Sequence, residues 1–369
     1  VYYYKKALQL NPENPRINGN ILTIYVERLK ETGELDFYQD ALPYADRQVE
    51  LTPEAYYYIE RGLLHMEAGV WDKAEADFKK AAELEPDNTY AYNNWGCVYK
   101  YQEKYERAKE LFRKSIEVMG DKPETLIAYG NLGNCYERTG ELQRAVEWYR
   151  RGLDLFPDNR NLQVDLLRVY KKLEWFDLAL ERASKLYGEG TPRWKLEAGG
   201  IYAQMKKYDK ALSLFTSVAD MKNGVLQAEA WERCGDMTLY YKKKPKKALE
   251  MYRKALELTK KNDEDYVRCC RCIMECLAVL DRRQEAVQYQ QMAFESLRMM
   301  FGSVEKYLEN YYYRKSRLYE VGALFYYTGE LDKARMFFDQ IGEAPRCRHC
   351  NYQICEDYWE AKGFLFEAE

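Results

Sequence analysis

The chain has 369 residues, with 57 Lys and Arg against 60 Asp and Glu for a formal net charge of -3, and 47% of it is hydrophobic. That balance excludes a general polyanion binder, and the apolar content excludes wholesale disorder. No run approaches the roughly 18 to 20 apolar residues that cross a bilayer. Val1-Tyr-Tyr-Tyr-Lys-Lys has neither a signal peptide's apolar run nor an initiating Met, so the start reads as cut from something longer. The two His, His65 and His349, stand far apart with no Ser or Asp arrangement around them, which sets aside His-dependent nucleophilic or metal chemistry. The ten Cys are uneven, four between Cys269 and Cys276 and three between Cys347 and Cys355, which points away from a secreted disulfide framework and toward a reducing, cytoplasmic compartment.

Taken in chain order, the predicted elements are helices in pairs. Residues 1–18, containing Tyr4-Lys-Lys-Ala7-Leu-Gln-Leu-Asn-Pro12, read as a second helix lacking its first. A first full unit, near Asn18 to Thr52, carries about three extra residues between Gly33 and Ala41, read as a loop insertion. A recurring pattern follows, with an Ala near the start of each second helix and an aromatic four residues on: Ala74 and Phe78, Ala108 and Phe112, Ala145 and Tyr149, Ala211 and Phe215, Ala248 and Tyr252, Ala334 and Phe338. With Ala179 and Ala286 included, subtraction gives successive Ala spacings of 32 to 38 and then a last one of 48. A small residue on each first helix, Gly62, Gly96, Gly133, Gly199, Gly235 and Gly322, is expected where the two helices of a unit cross, with the small Ala opposite allowing close approach. Pro53, Pro86 and Pro157 stop second helices.

The pattern breaks in three places: the insertion before Ala41, the unit from Arg160 to Thr191 and the last long interval. The unit from Arg160 to Thr191 has Leu167 in place of Gly and ends in Tyr187-Gly188-Glu-Gly190-Thr-Pro192, which reads as an ordinary loop or as a hinge between two sub-arrays. Met274 replaces the small residue later, and the long interval through Phe294 to Arg314 keeps helical periodicity, so two lengthened helices are expected there. Trp359-Glu-Ala-Lys-Gly363-Phe-Leu-Phe366 closes the chain as a first helix lacking its second. The resulting division is 1–18 as half a unit, 19–191 as an N-terminal sub-array, 192–355 as a C-terminal sub-array of longer, degenerate repeats, and 356–369 as a second half unit.

These residues resemble the tetratricopeptide repeat, in the manner of bacterial multi-repeat arrays. The unit Ala55 to Asn88 matches at Tyr58, Gly62, Ala74, Phe78, Ala81 and Pro86; its successors match at Tyr92, Trp95, Gly96, Tyr99, Ala108 and Phe112, then at Tyr129, Leu132, Gly133, Tyr136, Ala145, Tyr149 and Pro157. The resemblance implies an all-α fold, a right-handed α-solenoid superhelix of antiparallel hairpins with about nine full units and a half unit at each end. A hairpin buries too little alone and must stack on its neighbours.

The resemblance also implies that first helices line a concave groove that receives a peptide or a partner helix. Carried over position by position, the groove residues are Tyr56, Tyr90, Asn93, Asn94, Lys100, Tyr101, Asn131, Asn134, Arg138, Arg168, Lys171 and Lys172, with Cys97 on the same strip. Amides pair with an extended backbone without reading its sequence, and the cations favour acidic or C-terminal carboxylate groups. Solvated polar residues on an ordinary helical face would look the same. The carboxylate clamp of chaperone adaptors is disfavoured, because Ile59 and Leu63 stand where its first Lys and Asn belong. Runs such as Tyr56 to Tyr58 must leave some rings partly exposed, and without a basic stripe base stacking is not expected.

Cys347-Arg-His-Cys350, with Cys355 beyond it, has Cys-x-x-Cys spacing suited to a structural zinc, the fourth ligand being His349, Cys276, Glu356 or a residue outside the chain; simple packing of small Cys side chains is the competing reading. Cys269, Cys272 and Cys276 share a helical face and read as buried packing. With no Gly-rich phosphate loop, paired carboxylates or nucleophile motif, no catalysis is expected and no other cofactor is implied. The leading expectation is a protein-interaction scaffold with a protein or peptide partner, no nucleic acid and no membrane. The alternative is the regulatory or sensor arm of a larger signalling enzyme.

Overall fold

A computed structural model describes residues 15–32, 35–221, 224, 226–309 and 314–341, together with Tyr3, Lys6 and Asn11. Among these residues every regular element is helical, and the chain divides into two units, Val1–Arg182 and Ala183–Glu369. The N-terminal unit contains α1 (Pro15–Thr32), α2 (Leu35–Leu51), α3 (Ala55–Glu67), α4 (Trp71–Leu84), α5 (Thr89–Tyr101), α6 (Tyr105–Met119), α7 (Leu126–Arg138), α8 (Leu142–Leu155) and α9 (Arg160–Lys172). Helix α10 (Phe176–Tyr187) runs through the division. The C-terminal unit continues with α11 (Pro192–Gln204), α12 (Tyr208–Ala219), α13 (Gln227–Asp236), α14 (Pro245–Leu258), α15 (Glu264–Val279), α16 (Arg283–Phe301), α17 (Val304–Glu309), α18 (Arg314–Thr328) and α19 (Leu331–Asp339). These make nine consecutive helix pairs among the described residues, the repeating layout of a helical solenoid. The terminal half units and Cys347, Cys350 and Cys355 lie outside the described residues or largely so.

The glycine on each first helix faces the ring on its own second helix, four residues past the Ala. A Cβ added at Gly62 or Gly96 would stand 2.7 Å from the ring of Phe78 or Phe112, and one at Gly235 or Gly322 would stand 2.5 Å from Tyr252 or Phe338. The ring therefore lies in the space the missing side chain leaves, and it is the aromatic rather than the Ala that requires the glycine. Where Met274 fills that position the ring is gone: the matching residue is Gln290, buried, with Nε2 reaching the Leu324 carbonyl at 3.2 Å and Glu330 Oε1 at 2.8 Å. The sequence makes the same exchange at Leu167 and Ala183. Volume is conserved across the pair, which is what a close-packed interior demands.

The turn inside each pair also repeats. Gly69, Gly140 and Gly329 adopt positive φ, and at the equivalent places so do Glu103 (62°), Glu174 (57°), Lys206 (59°), Lys243 (52°) and Asp281 (58°). First helices are capped where the sequence offers a cap: Asn88 and Asn159 side chains accept from the Ala91 and Leu162 N–H groups at 3.1 and 2.9 Å, and Thr191 accepts from Trp194 N–H at 3.2 Å with Pro192 opening α11.

Two expectations about length are revised. The extra residues before Ala41 belong to helix, since α2 begins at Leu35, six residues ahead of that Ala, whereas the other second helices begin three ahead. In the long interval the described residues show α16 lengthened to Phe301, a stop at Gly302 with φ of 82°, and a separate short helix, α17, in place of one continuous lengthening. One further irregularity was not foreseen. The Gly235-to-Ala248 interval is one residue longer than in the other pairs, and a π-helical turn, Met237–Tyr241, closed by Lys242 N–H to the Met237 carbonyl at 3.1 Å, absorbs it and keeps Tyr252 on Gly235.

Candidate functional site

In the N-terminal unit the first helices α1, α3, α5, α7 and α9 touch one another in succession, while second helices meet the next pair chiefly through its first helix. First helices are therefore the more closely spaced set and form the inner wall. The residues expected to line a groove all lie on α3, α5, α7 and α9, but their states differ.

Asn93 is buried, and its Oδ1 accepts from Asn131 Nδ2 at 3.0 Å; Lys100 Nζ donates to Asn131 Oδ1 at 2.8 Å, and Cys97 Sγ stands 3.6 Å from the same Nδ2. This ladder ties α5 to α7. A second bridge ties α7 to α9 through Glu137, a buried carboxylate that accepts from Arg168 Nε and Nη2 at 2.9 Å each, from Lys172 Nζ at 2.7 Å and from the Tyr149 hydroxyl at 3.3 Å. Burial works to raise the Glu137 pKa, yet the hydrogen bonds and charges of Arg168 and Lys172 outweigh it and hold the carboxyl below its ordinary value. Arg168 also pairs with Asp165 at 2.7 Å, and burial raises that second carboxyl. Arg168 and Lys172 are thus occupied within the wall.

The remaining groove residues are more open. Tyr56 is 59% exposed and Tyr90 49%, whereas Tyr129, Tyr149 and Tyr170 are fully buried or nearly so. Arg138 is exposed, and Asn94, Asn134 and Lys171 are half-buried. Tyr101 is half-buried, 6.0 Å from Trp71 and 5.3 Å below Lys100 Nζ. Ile127, 59% exposed, holds the same register on α7 as Tyr56 on α3 and Tyr90 on α5, and was missed.

The C-terminal unit was also missed as a polar wall. Arg193 pairs with Glu229 at 3.1 Å, Arg268 with Glu232 at 2.5 and 2.9 Å, and Arg271 with Glu320 at 3.5 Å and Glu275 at 3.9 Å, so each pair of neighbouring first helices from α11 to α18 is bridged by ions. Tyr240, on the π-turn, donates to Glu275 at 2.6 Å, and Tyr252 donates to Asp236 at 2.7 Å. Burial, then repulsion from Glu232, pushes the Asp236 carboxyl up to about 7, and burial also raises Glu275 and Glu320. Those of these residues that lie on first helices or the π-turn occupy the registers, relative to Gly199, Gly235, Met274 and Gly322, that the groove residues occupy in the N-terminal unit; extending the same count along the chain would have found them.

Other titratable groups are structural. His65 is buried against Tyr38 and Asp77, and burial lowers its pKa. Cys269, Cys270, Cys272 and Cys276 are buried in the core and desolvation raises each thiol, to about 12 for Cys270, so none is poised as a thiolate. Among the described residues no group of His, Cys, Asp and Glu has the arrangement to hold a metal ion, and no helix is long and apolar enough to cross a membrane.

Residues 87–158, which span α5 to α8, match the tetratricopeptide repeat family model. These residues are tetratricopeptide repeats. Such repeats build protein–protein interaction scaffolds. The tetratricopeptide repeat segment is similar to sperm-associated antigen 1 of Mus musculus, 32% identical over 84 residues that cover 23% of this chain and 9% of that protein. It is also similar to a UDP-N-acetylglucosamine–peptide N-acetylglucosaminyltransferase of Giardia intestinalis, 37% identical over 94 residues, 24% of this chain and 6% of that one. The matched part is thus under a tenth of either relative's length. A crystallised tetratricopeptide repeat protein of Parabacteroides merdae aligns with a TM-score of 0.49 at 15% identity, covering 73% of this chain and 98% of its own.

Proposed function

We propose that the inner wall of the N-terminal unit holds a segment of another protein, and that this chain acts as a non-catalytic scaffold in the cytoplasm. The observation that carries the reading is the exposure of Tyr56, Tyr90 and Ile127 at one register of three successive first helices, a row that the described first helices of the C-terminal unit do not repeat, since Arg193, Glu229 and Arg268 stand at that register there. Exposed aromatics of this kind supply contact area at little entropy cost. Asn94 and Asn134 stand ready for a partner's backbone, and Arg138 for its acidic groups. Neither nucleic acid nor a lipid surface suits a wall of mixed charge.

A photo-crosslinking residue placed at Tyr90 should capture a partner in the native host, whereas the same residue at Lys114, exposed on the second helix α6, should not. Capture at Lys114 alone, or equally at both, would remove the proposal. A second reading, the arm of a larger enzyme, is supported by the giardial transferase, of which the matched segment is 6%; the domain content of the full gene product tests it. The Cys347, Cys350 and Cys355 segment remains a proposed structural zinc site. Protein purified without added zinc should carry about one equivalent, the occupancy of a single tetrahedral site, and should lose it in Cys347→Ser/Cys350→Ser.

A further inference from the structure

The turns inside the helix pairs of the C-terminal unit meet along one edge, and that edge is basic. Lys242, in the turn from α13 to α14, pairs with Asp209, in the turn from α11 to α12; between the same two turns Tyr208 and Tyr241 stack with ring centroids 4.1 Å apart. Further along, a Cβ added at Gly329, in the last turn, would stand 3.5 Å from Arg283 Nη1 in the turn before it. Counted from its left-handed residue, the first turn holds Lys206, Lys207 and Lys210 around Asp209. The second, Lys243 to Lys247, is lysine at every position but Pro245. The third, Asp281 to Glu285, adds Arg282 and Arg283. All of these cations are exposed. Two of the three carboxylates are occupied, Asp209 by Lys242 and Glu285 by Arg282 at 2.5 and 2.7 Å.

The same stretches of the N-terminal unit are balanced in charge: Asp72 with Lys73, Glu103 and Glu106 with Lys104 and Arg107, Glu141 with Arg144. At the far end of the basic run, Gly329 to Lys333 brings back Glu330 and Asp332. The chain's net charge of -3 conceals the edge, because its lysines come from turns one repeat apart.

Packed helices lie about 8–10 Å apart, so three successive turns extend over roughly 20 Å and offer a net cation about every 3 Å. A nucleic-acid duplex carries one phosphate per about 1.7 Å of axis, roughly half of them on any one side. The two densities match. Lysine is a compact point charge that holds a phosphate oxygen without a fixed geometry, so such contacts position a backbone without reading sequence. A protein partner would want apolar or aromatic anchors, and protein interfaces are poor in Lys. Here the rings of Tyr208 and Tyr241 cover each other and are half-buried, so they offer neither an anchor nor a platform for an unpaired base. A lipid surface held by charge alone lacks the second signal that stable attachment needs.

We infer that this edge binds double-stranded nucleic acid through its phosphates, independently of sequence. The edge lies apart from the inner wall, so the inference goes beyond the reading of that wall as a protein-binding face.

The test uses the full chain and a fluorescein-labelled DNA duplex of mixed sequence. Binding is expected at 50 mM salt and should weaken about a hundredfold at 200 mM, the loss that accompanies neutralisation of about four phosphates. Lys246→Glu/Lys247→Glu should weaken it at least tenfold and lower the salt slope by about 2. Both positions lie in the first turn of α14, where glutamate suits the helix dipole, so the fold should be kept. Lys260→Glu/Lys261→Glu makes the same change of charge beyond the other end of α14, also at exposed positions, and should bind as the unaltered chain does. Tyr56→Ala/Tyr90→Ala, on the wall, should also leave the duplex bound, so the two readings fail separately. No binding at 50 mM salt, or an equal loss in all three variants, overturns the inference. A poly-glutamate peptide or phosphatidylserine vesicles that bind as tightly as the duplex at the same salt would overturn the assignment to nucleic acid.

Discussion

Just after the small residue of the first helix the N-terminal unit carries Cys97, Asn134 and Arg168, while the C-terminal unit carries Gly200, Asp236 and Glu275. In the first, cations and amides dominate, and one buried carboxylate, Glu137, is answered by two cations. In the second, Glu232, Asp236, Glu275 and Glu320 face Arg268 and Arg271, so acid exceeds base, and tyrosine hydroxyls hold what the arginines do not. The same hairpin geometry thus yields one wall with open apolar and polar groups and another closed by its own ion pairs. Stacking fixes only the registers; which side chains fill them decides whether a wall is left for a partner.

The comparison predicts unequal costs for removing a carboxylate. Glu137→Ala leaves Arg168 and Lys172 facing each other without their shared anion, and loss of one member of a buried ionic group costs about 3–5 kcal/mol. Glu320→Ala removes one of an excess of acids and should cost markedly less. Urea denaturation of the full chain, compared between the two variants, is the measurement; equal losses would mean that the charge surplus in the C-terminal unit is not real.

Why the hairpins were readable and the walls were not follows from distance along the chain. The Gly96, Ala108 and Phe112 constraint acts within one helix pair, so it repeats visibly every 34 residues or so. The bridge from Glu137 to Arg168, 31 residues on, joins two repeats and leaves no periodic mark. Met274 read as a lapse in the pattern because its compensation, Gln290, sits sixteen positions later and is polar. The extra residues before Ala41 looked like a loop because Gly33 precedes them, yet they carry on the helical repeat of α2. Cys269 to Cys276 were readable as core because their spacing alone put them on one apolar face.

A second way to sharpen the contrast is pH. A carboxyl raised in the folded state binds its proton more tightly there than in the unfolded chain, so Asp236 adds stability that is full below its ordinary value of 3.8 and is lost as pH rises through about 7. Glu137, held low, contributes the reverse: its stability is present above its ordinary value of 4.5 and is lost as pH falls through its lowered folded value. Asp165 is raised and opposes Glu137 within the N-terminal unit, so the effect should be followed by site. Hydrogen exchange in α13 to α15, corrected for the intrinsic rate, should quicken between pH 5.5 and 8, and Asp236→Asn should flatten the change. Exchange that slows over that interval would contradict the surplus of acid.

The smallest expected effect lies in the turns, where the two units share a backbone conformation. Glu103 in the N-terminal unit and Lys206 in the C-terminal unit hold φ near 60° at the place other repeats give to glycine, with a Cβ crowding its own carbonyl. A left-handed residue with a Cβ costs about 1–2 kcal/mol, and glycine's extra freedom in the unfolded chain returns part of that. Glu103→Gly and Lys206→Gly should each stabilise by up to about 1 kcal/mol, and by the same amount in either unit. Matched shifts in the two thermal midpoints would locate the difference between the units in their side chains alone. If only one substitution stabilises, the turns are not equivalent, and part of the contrast assigned to charge belongs to the backbone.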